Sequence, residues 1–134
     1  MIEEFLKKEN KVAVVGASTN PEKYGYRIFA HLLKDGYKVF PINPKRPVIE
    51  GVQACANLSE CEETPDVVIM VIAPEKQKAL LEEIVKLGID KVWFQPGSES
   101  EENISFLKEK GIKVVHGLCY VRDGLGEPLM EFIF

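Results

Sequence analysis

The stretch Lys11–Gly25, KVAVVGASTNPEKYG, constrains the fold more than any other, because it joins an apolar run to a small-residue turn and then to a helix. Val12, Ala13, Val14 and Val15 are apolar on both faces, the pattern of a parallel strand buried between helices. Gly16, Ala17 and Ser18 carry so little side chain that a ligand can approach the backbone amides. Tyr24, Ile28 and Leu32 then recur at helical spacing, with Phe29 and Leu33 beside them and Gly36 as the stop. A strand, a tight loop and a helix N-terminus make an anion site, since the first helical amides lack partners and the helix dipole favours negative charge.

The same strand-and-helix alternation continues along the chain. Tyr37–Ile42 reads as a second strand, followed by a rigid basic loop, Asn43-Pro44-Lys45-Arg46-Pro47, in which two prolines prevent a helix. Val52–Cys55 is a brief strand candidate, and Leu58–Glu62 has room for one helical turn. Asp66–Ile72 is the most apolar run and the expected central strand, ending at Ala73-Pro74. Pro74 suits the first turn of a helix whose buried side is expected to be Ala79, Leu80, Ile84, Val85 and Leu87, closed by Gly88. Lys91–Gln95 is the next strand, Pro96-Gly97-Ser98 its turn, and Ser100 the cap of a helix reaching Gly111. Lys113–Val115 forms a last short strand before a tail from His116 to Phe134. Four or five strands alternating with helices predict an α/β, three-layer Rossmann-like fold with a mostly parallel sheet of about five strands. Residues 1–134 are expected to form one domain, as 134 residues with 46% hydrophobic content suit one core. In such sheets the ligand lies outside the carboxyl ends of the strands, where the winding reverses. That gathers four loops: Gly16–Asn20, Asn43–Arg46, Ile72–Pro74 and Gln95–Ser98.

Charge and missing motifs narrow the ligand. A net charge of −4 argues against broad nucleic-acid or membrane-surface binding, so any anion site must be local. Three cysteines, Cys55, Cys61 and Cys119, form no CxxC pair and suggest neither a disulfide framework nor a common zinc site, and reduced cytoplasm is the expected compartment. A secretory signal or membrane span is not expected, and Ile2, Phe5 and Leu6 suit a short amphipathic helix at the core edge. A G-x-G-x-x-G fingerprint with an acid after the second strand is missing: position 18 is serine, position 21 is proline, and Asn43, Lys45 and Arg46 stand where the acid would be. No Walker loop occurs either. Basic residues there favour a phosphate over a ribose diol, leaving NADP or coenzyme A.

The motifs G-A-S-x-x-P at Gly16–Pro21, K-Y-G at Lys23–Gly25, P-x-N-P at Pro41–Pro44, A-P at Ala73-Pro74 and Q-x-G at Gln95–Gly97 resemble the single-domain CoA-binding proteins. These in turn resemble the CoA-binding domain of the succinyl-CoA synthetase alpha subunit. The resemblance covers roughly Lys11–Cys119. It implies that Gly16, Ala17, Ser18 and Thr19 hold the diphosphate, with Asn20, Lys23 and Tyr24 completing the helix entry. It implies that Lys45, beside Asn43, meets the phosphorylated ribose end, and that Ile72, Ala73 and Pro74 flank the pantetheine arm, with Gln95 and Gly97 at the next strand end. The ligand so implied is coenzyme A or an acyl-CoA. The synthetase's phosphohistidine belongs to a second domain, so its ligase chemistry does not carry over, and no catalytic or metal-ligating set is assigned.

Other features have plainer readings. His31 is expected to be structural, and Cys55 and Cys61 to be small hydrophobes. His116 lies three residues before Cys119, but no orienting acid or oxyanion device can be assigned to the pair. Cys119 resembles a late cysteine of such single-domain relatives, which suggests a redox handle for the CoA thiol. An NADP-dependent oxidoreductase and an interaction subunit with a vestigial pocket are the alternative readings. The apolar tail residues Leu129, Met130, Phe132, Ile133 and Phe134 need burial, on the chain's own core, in a homodimer or against a partner protein.

Overall fold

The computed structural model describes residues 2–129. Five strands, β1 (Lys11–Val15), β2 (Lys38–Ile42), β5 (Val67–Met70), β6 (Lys91–Phe94) and β7 (Lys113–Val115), form one all-parallel sheet in the order β2-β1-β5-β6-β7. The order runs one way from β1 through helix α2 (Tyr24–Lys34) to β2. It runs the other way from β5 through α3 (Lys78–Leu87), β6 and α4 (Glu101–Glu109) to β7. The winding therefore reverses between β1 and β5, and ligands of open α/β sheets bind at such a reversal. Val15 pairs with Met70, so both strands stop at one level and Gly16 leaves the sheet beside Val71.

Successive residues of each strand feed opposite cores, as the two-residue period requires. Val12, Val14, Val67, Ile69 and Trp93 face Ile28, Phe29 and Leu32 of α2, while Ala13, Val15, Val68, Met70, Val92 and Phe94 face Leu81, Ile84 and Leu107 of α3 and α4. Trp93 and Phe94, adjacent in β6, are each fully buried in a different layer. Three refinements to the sequence-based expectations follow. The Val52–Cys55 strand is half of a small antiparallel hairpin, β3 (Val48–Ile49) with β4 (Val52–Gln53), and Cys55 instead extends β2 by a single bridge to Ile42. Pro74 begins a short 3-10 turn (Pro74–Lys76), and α3 starts only at Lys78. Leu81 replaces Ala79 on the buried face, since Ala79 is exposed.

The tail supplies part of the core. Tyr120–Leu125 winds as a π-helical turn, opened by the Asp123 carboxylate accepting from the Cys119 amide at 2.7 Å. Trp93 stands edge-on to Phe5 of α1 (Glu3–Leu6) and to Tyr120, at centroid distances of 5.8 and 5.0 Å, and its indole N–H donates to Leu118 O. The hydroxyls of Tyr120 and Tyr37 donate to Phe5 O and Leu6 O, each at 2.5 Å, which fastens a four-residue helix too short to persist alone. Leu129 is buried; Met130, Phe132, Ile133 and Phe134 lie outside the described residues.

Burial raises the phenol pKa of both Tyr120 and Tyr37 above its usual value near 10. The folded state thus holds these protons more tightly than the unfolded chain, so their contribution is complete below about pH 10 and is lost as pH rises beyond it. Tyr120→Phe is expected to cost about 1–2 kcal/mol at neutral pH, by removing the bond to Phe5 O. It is also expected to flatten the alkaline fall in the urea midpoint relative to the parent, and parallel falls in the two proteins would contradict this account.

Candidate functional site

The site is built where β1 turns into α2. Gly16 has φ +100°, and a Cβ there would lie 2.9 Å from Ile72 Cγ2 and 3.3 Å from Val71 Cβ, so the loop after β1 crosses directly over the end of β5. A Cβ on Gly25 would fall 1.9 Å from Gly16 O. The first turn of α2 consequently rests on the loop's backbone, as the last glycine of a dinucleotide fingerprint lets a helix do. Its spacing from Gly16 hid this role, because Gly25 comes nine residues on rather than five.

Side chains brace the loop and leave its centre open. Ser18 Oγ accepts from the Asn20 amide, and Asn20 Oδ1 from the Glu22 amide, each at 3.0 Å. Asn43 Nδ2 donates to Ala17 O at 2.9 Å while its Oδ1 accepts from the Lys45 amide, so Asn43 ties the β2 loop to the β1 loop. Among the described residues, the amides of Ala17, Ser18 and Thr19 meet no acceptor, and no side chain caps α2. Unpaired amides in a loop that packs against an uncapped helix start are suited to an anion.

Cations gather at the same end of this acidic chain. Lys23 is exposed at the N-cap of α2, and the guanidiniums of Arg27 and Arg122 both approach the ring of Tyr24, at 5.8 and 5.9 Å from its centroid. Arg122 also donates to the Tyr24 hydroxyl, and Arg27 Nε to Pro21 O. Neither arginine stood out in the sequence, although Arg27 follows Tyr24 at i+3; Arg122 arrives through the π-turn, which has no periodic signature. In the β2 loop, Arg46 is engaged by Glu60 at 2.6 Å, which holds the Glu60 carboxyl below the usual carboxylate range. Among the described residues, Lys45 has no ion pair.

The loop after β5 is fastened by groups that sequence reasoning missed. Gln77 is fully buried; its Nε2 donates to Ile72 O and Ser98 O at 2.8 and 2.7 Å, and its Oε1 accepts from Asn103 Nδ2. Asn103 Nδ2 also donates to Pro74 O. This joins Ile72, Pro74 and Ser98 across the two strand ends, and a satisfied buried network of this kind holds one geometry. Gln95 is buried at the end of β6 with its Oε1 fixed by the Tyr120 amide at 2.7 Å, while the Gly97 amide is taken by the Glu99 carboxylate. A cavity of about 530 Å³ opens beside Pro74 between α3 and α4; its lining does not include the Gly16–Thr19 loop, which lies instead at the β1/β5 reversal, where open α/β sheets form their ligand crevice. His116 is exposed and Cys119 buried. Burial, with Cys55 and the Glu83 and Glu60 carboxylates nearby, pushes the Cys61 thiol up to about 12.

A model of the CoA binding domain family matches residues 10–124. The chain belongs to that family. It is 31% identical over 118 residues to an uncharacterized protein of Bacillus subtilis, covering 88% of this chain and 87% of that one. It is 27% identical over 119 residues to the alpha subunit of ADP-forming acetate–CoA ligase II of Pyrococcus furiosus, covering 81% of this chain but 26% of the subunit. A solved structure of a hypothetical protein from Pyrococcus horikoshii superposes with a TM-score of 0.87 at 30% identity, covering 93% and 88% of the two chains. Among the described residues no helix is long and apolar enough to cross a membrane.

Gly25→Ala tests the contact beneath this CoA-binding domain's crevice. Helix propensity alone would favour alanine by about 1 kcal/mol. The 1.9 Å overlap with Gly16 O opposes it, and overpacking against backbone costs about 3 kcal/mol. A net loss near 2 kcal/mol in urea unfolding is expected, and an unchanged or raised stability would contradict the close approach.

Proposed function

We propose that the chain binds coenzyme A or an acyl-CoA across the carboxyl ends of β2, β1, β5 and β6, and that it acts as a binding module without a reaction of its own. The observation that carries this reading is the row of unpaired amides at Ala17, Ser18 and Thr19, beside the uncapped start of α2, in a chain of the CoA binding domain family. Those amides and the helix dipole suit the diphosphate, with Thr19, Asn20, Lys23 and Tyr24 at the entry. Lys45 is offered to the ribose phosphate, held by an Asn43 that serves to position it. Ile72, Ala73 and Pro74 flank the pantetheine arm. Gln95 retains its Nε2 as a donor after Tyr120 occupies Oε1, and Gly97 shapes the turn beside it. The kinship with an acetate–CoA ligase subunit supports CoA over NADP as the ligand.

Thermal unfolding with CoA, acetyl-CoA, NAD, NADP, ATP and buffer alone tests the proposal. A ligand that binds only the folded state adds about 2.7 kcal/mol at one hundred times its Kd, so a rise with the CoA species alone is expected. A rise with NADP alone would favour an oxidoreductase, and no rise with any of them would favour an interaction subunit. Ser18→Glu places like charge at the amide row and is expected to abolish the CoA shift while leaving the protein folded; normal binding by this variant would contradict the cradle.

A further inference from the structure

At the opposite end of α2 from the crevice, three side chains meet that the CoA reading does not use. His31 and Asp35 are four residues apart and so share one helix face, and Glu127 reaches them from the tail. One ligand atom from each of the three lies within 4.8 Å of the others, and His31 Nε2 is 2.9 Å from Glu127 Oε1. All three are half-buried: their side chains are 14%, 35% and 40% exposed in the order His31, Asp35 and Glu127.

We infer that His31, Asp35 and Glu127 form a binding site for a divalent first-row transition metal such as Zn²⁺. One imidazole nitrogen and two carboxylates suit a borderline cation better than Mg²⁺ or Ca²⁺, which prefer oxygen ligands throughout. Metal–ligand bonds of about 2.0–2.2 Å in a tetrahedron set neighbouring ligand atoms roughly 3.3–3.6 Å apart. The His31–Glu127 contact of 2.9 Å needs to open by about half an ångström, and the Asp35 carboxylate, within 4.8 Å of both, to close in by roughly an ångström. A fourth position is left for water. The site also lies at the C-terminal turn of α2, whose dipole favours positive charge. That preference is visible already: Lys8 Nζ donates to Asp35 O and stands 3.6 Å from Asp35 Oδ2, on a side chain exposed enough to withdraw. A metal here would clamp the tail segment carrying Tyr120 and Arg122 onto α2, independently of any ligand in the crevice.

Calorimetric titration of the untagged protein with Zn²⁺ is expected to show one saturable site per chain. Asp35→Asn removes a ligand but leaves the His31–Glu127 contact, and is expected to weaken binding about tenfold or more, as is His31→Gln. A Cys55→Ser, Cys61→Ser double variant is expected to bind like the parent. Absence of saturable binding, affinity unchanged in Asp35→Asn and His31→Gln, or affinity lost in the cysteine variant would each overturn the assignment.

Discussion

The close approach of α2 to the loop after β1 is the constraint on which the rest of the site depends. Gly25 lets the first turn of the helix sit on the carbonyl of Gly16, and Gly16 in turn passes over Ile72 with a backbone conformation that side chains disfavour. Neither contact leaves room for a methyl group. Their joint effect is to set the start of α2, a loop of unpaired amides and the end of the central strand side by side. Were α2 shifted outward, its uncapped N-terminus would no longer lie beside the loop that carries the amides of Ala17–Thr19.

Around this contact the chain arranges its polar groups for two different purposes. Some side-chain groups are occupied in holding loops: Asn43 between two of them, Gln77 and Asn103 between two others, and the Oε1 of Gln95 between β6 and the tail. Others are left facing outward, notably Lys23 and Lys45, with Arg27 and Arg122 flanking Tyr24. An overall acidic protein thereby presents local positive charge where its amides are unpaired, which favours an anionic ligand there without a basic surface. The tail contributes to both purposes, burying Tyr120 against Trp93 and delivering Arg122 to the crevice.

Much of this was legible in the sequence because the signals were local and repeated. The continuous apolar runs at Val12–Val15 and Val67–Met70, the helical spacing from Tyr24 to Leu32 and the cap at Ser100 each point to one element, and each element is present. The family was legible as well, from short motifs at successive strand ends, and the family match confirms it. What escaped depended on partners distant in the chain. Two-residue strands such as β3 and β4 leave no alternation to read. The π-turn has no recurring spacing, and its burial is decided by Trp93 and Phe5, well over twenty residues away. Leu81 rather than Ala79 faces the sheet because α3 begins after a 3-10 turn, which rotates the helix relative to a start at Pro74. Gln77 looks like an ordinary polar helix residue until the loops it bridges are brought together.

The central claim is that the amide row and the start of α2 hold the diphosphate of a CoA ligand. Backbone amide NMR during a CoA titration reports on it directly. The account predicts saturable shifts concentrated in Gly16–Asn20 and Tyr24–Gly25, with further changes at Lys45 and Ile72, and little effect in α1 or β7. Saturable shifts that instead cluster between α3 and α4, leaving Gly16–Asn20 unmoved, would contradict it.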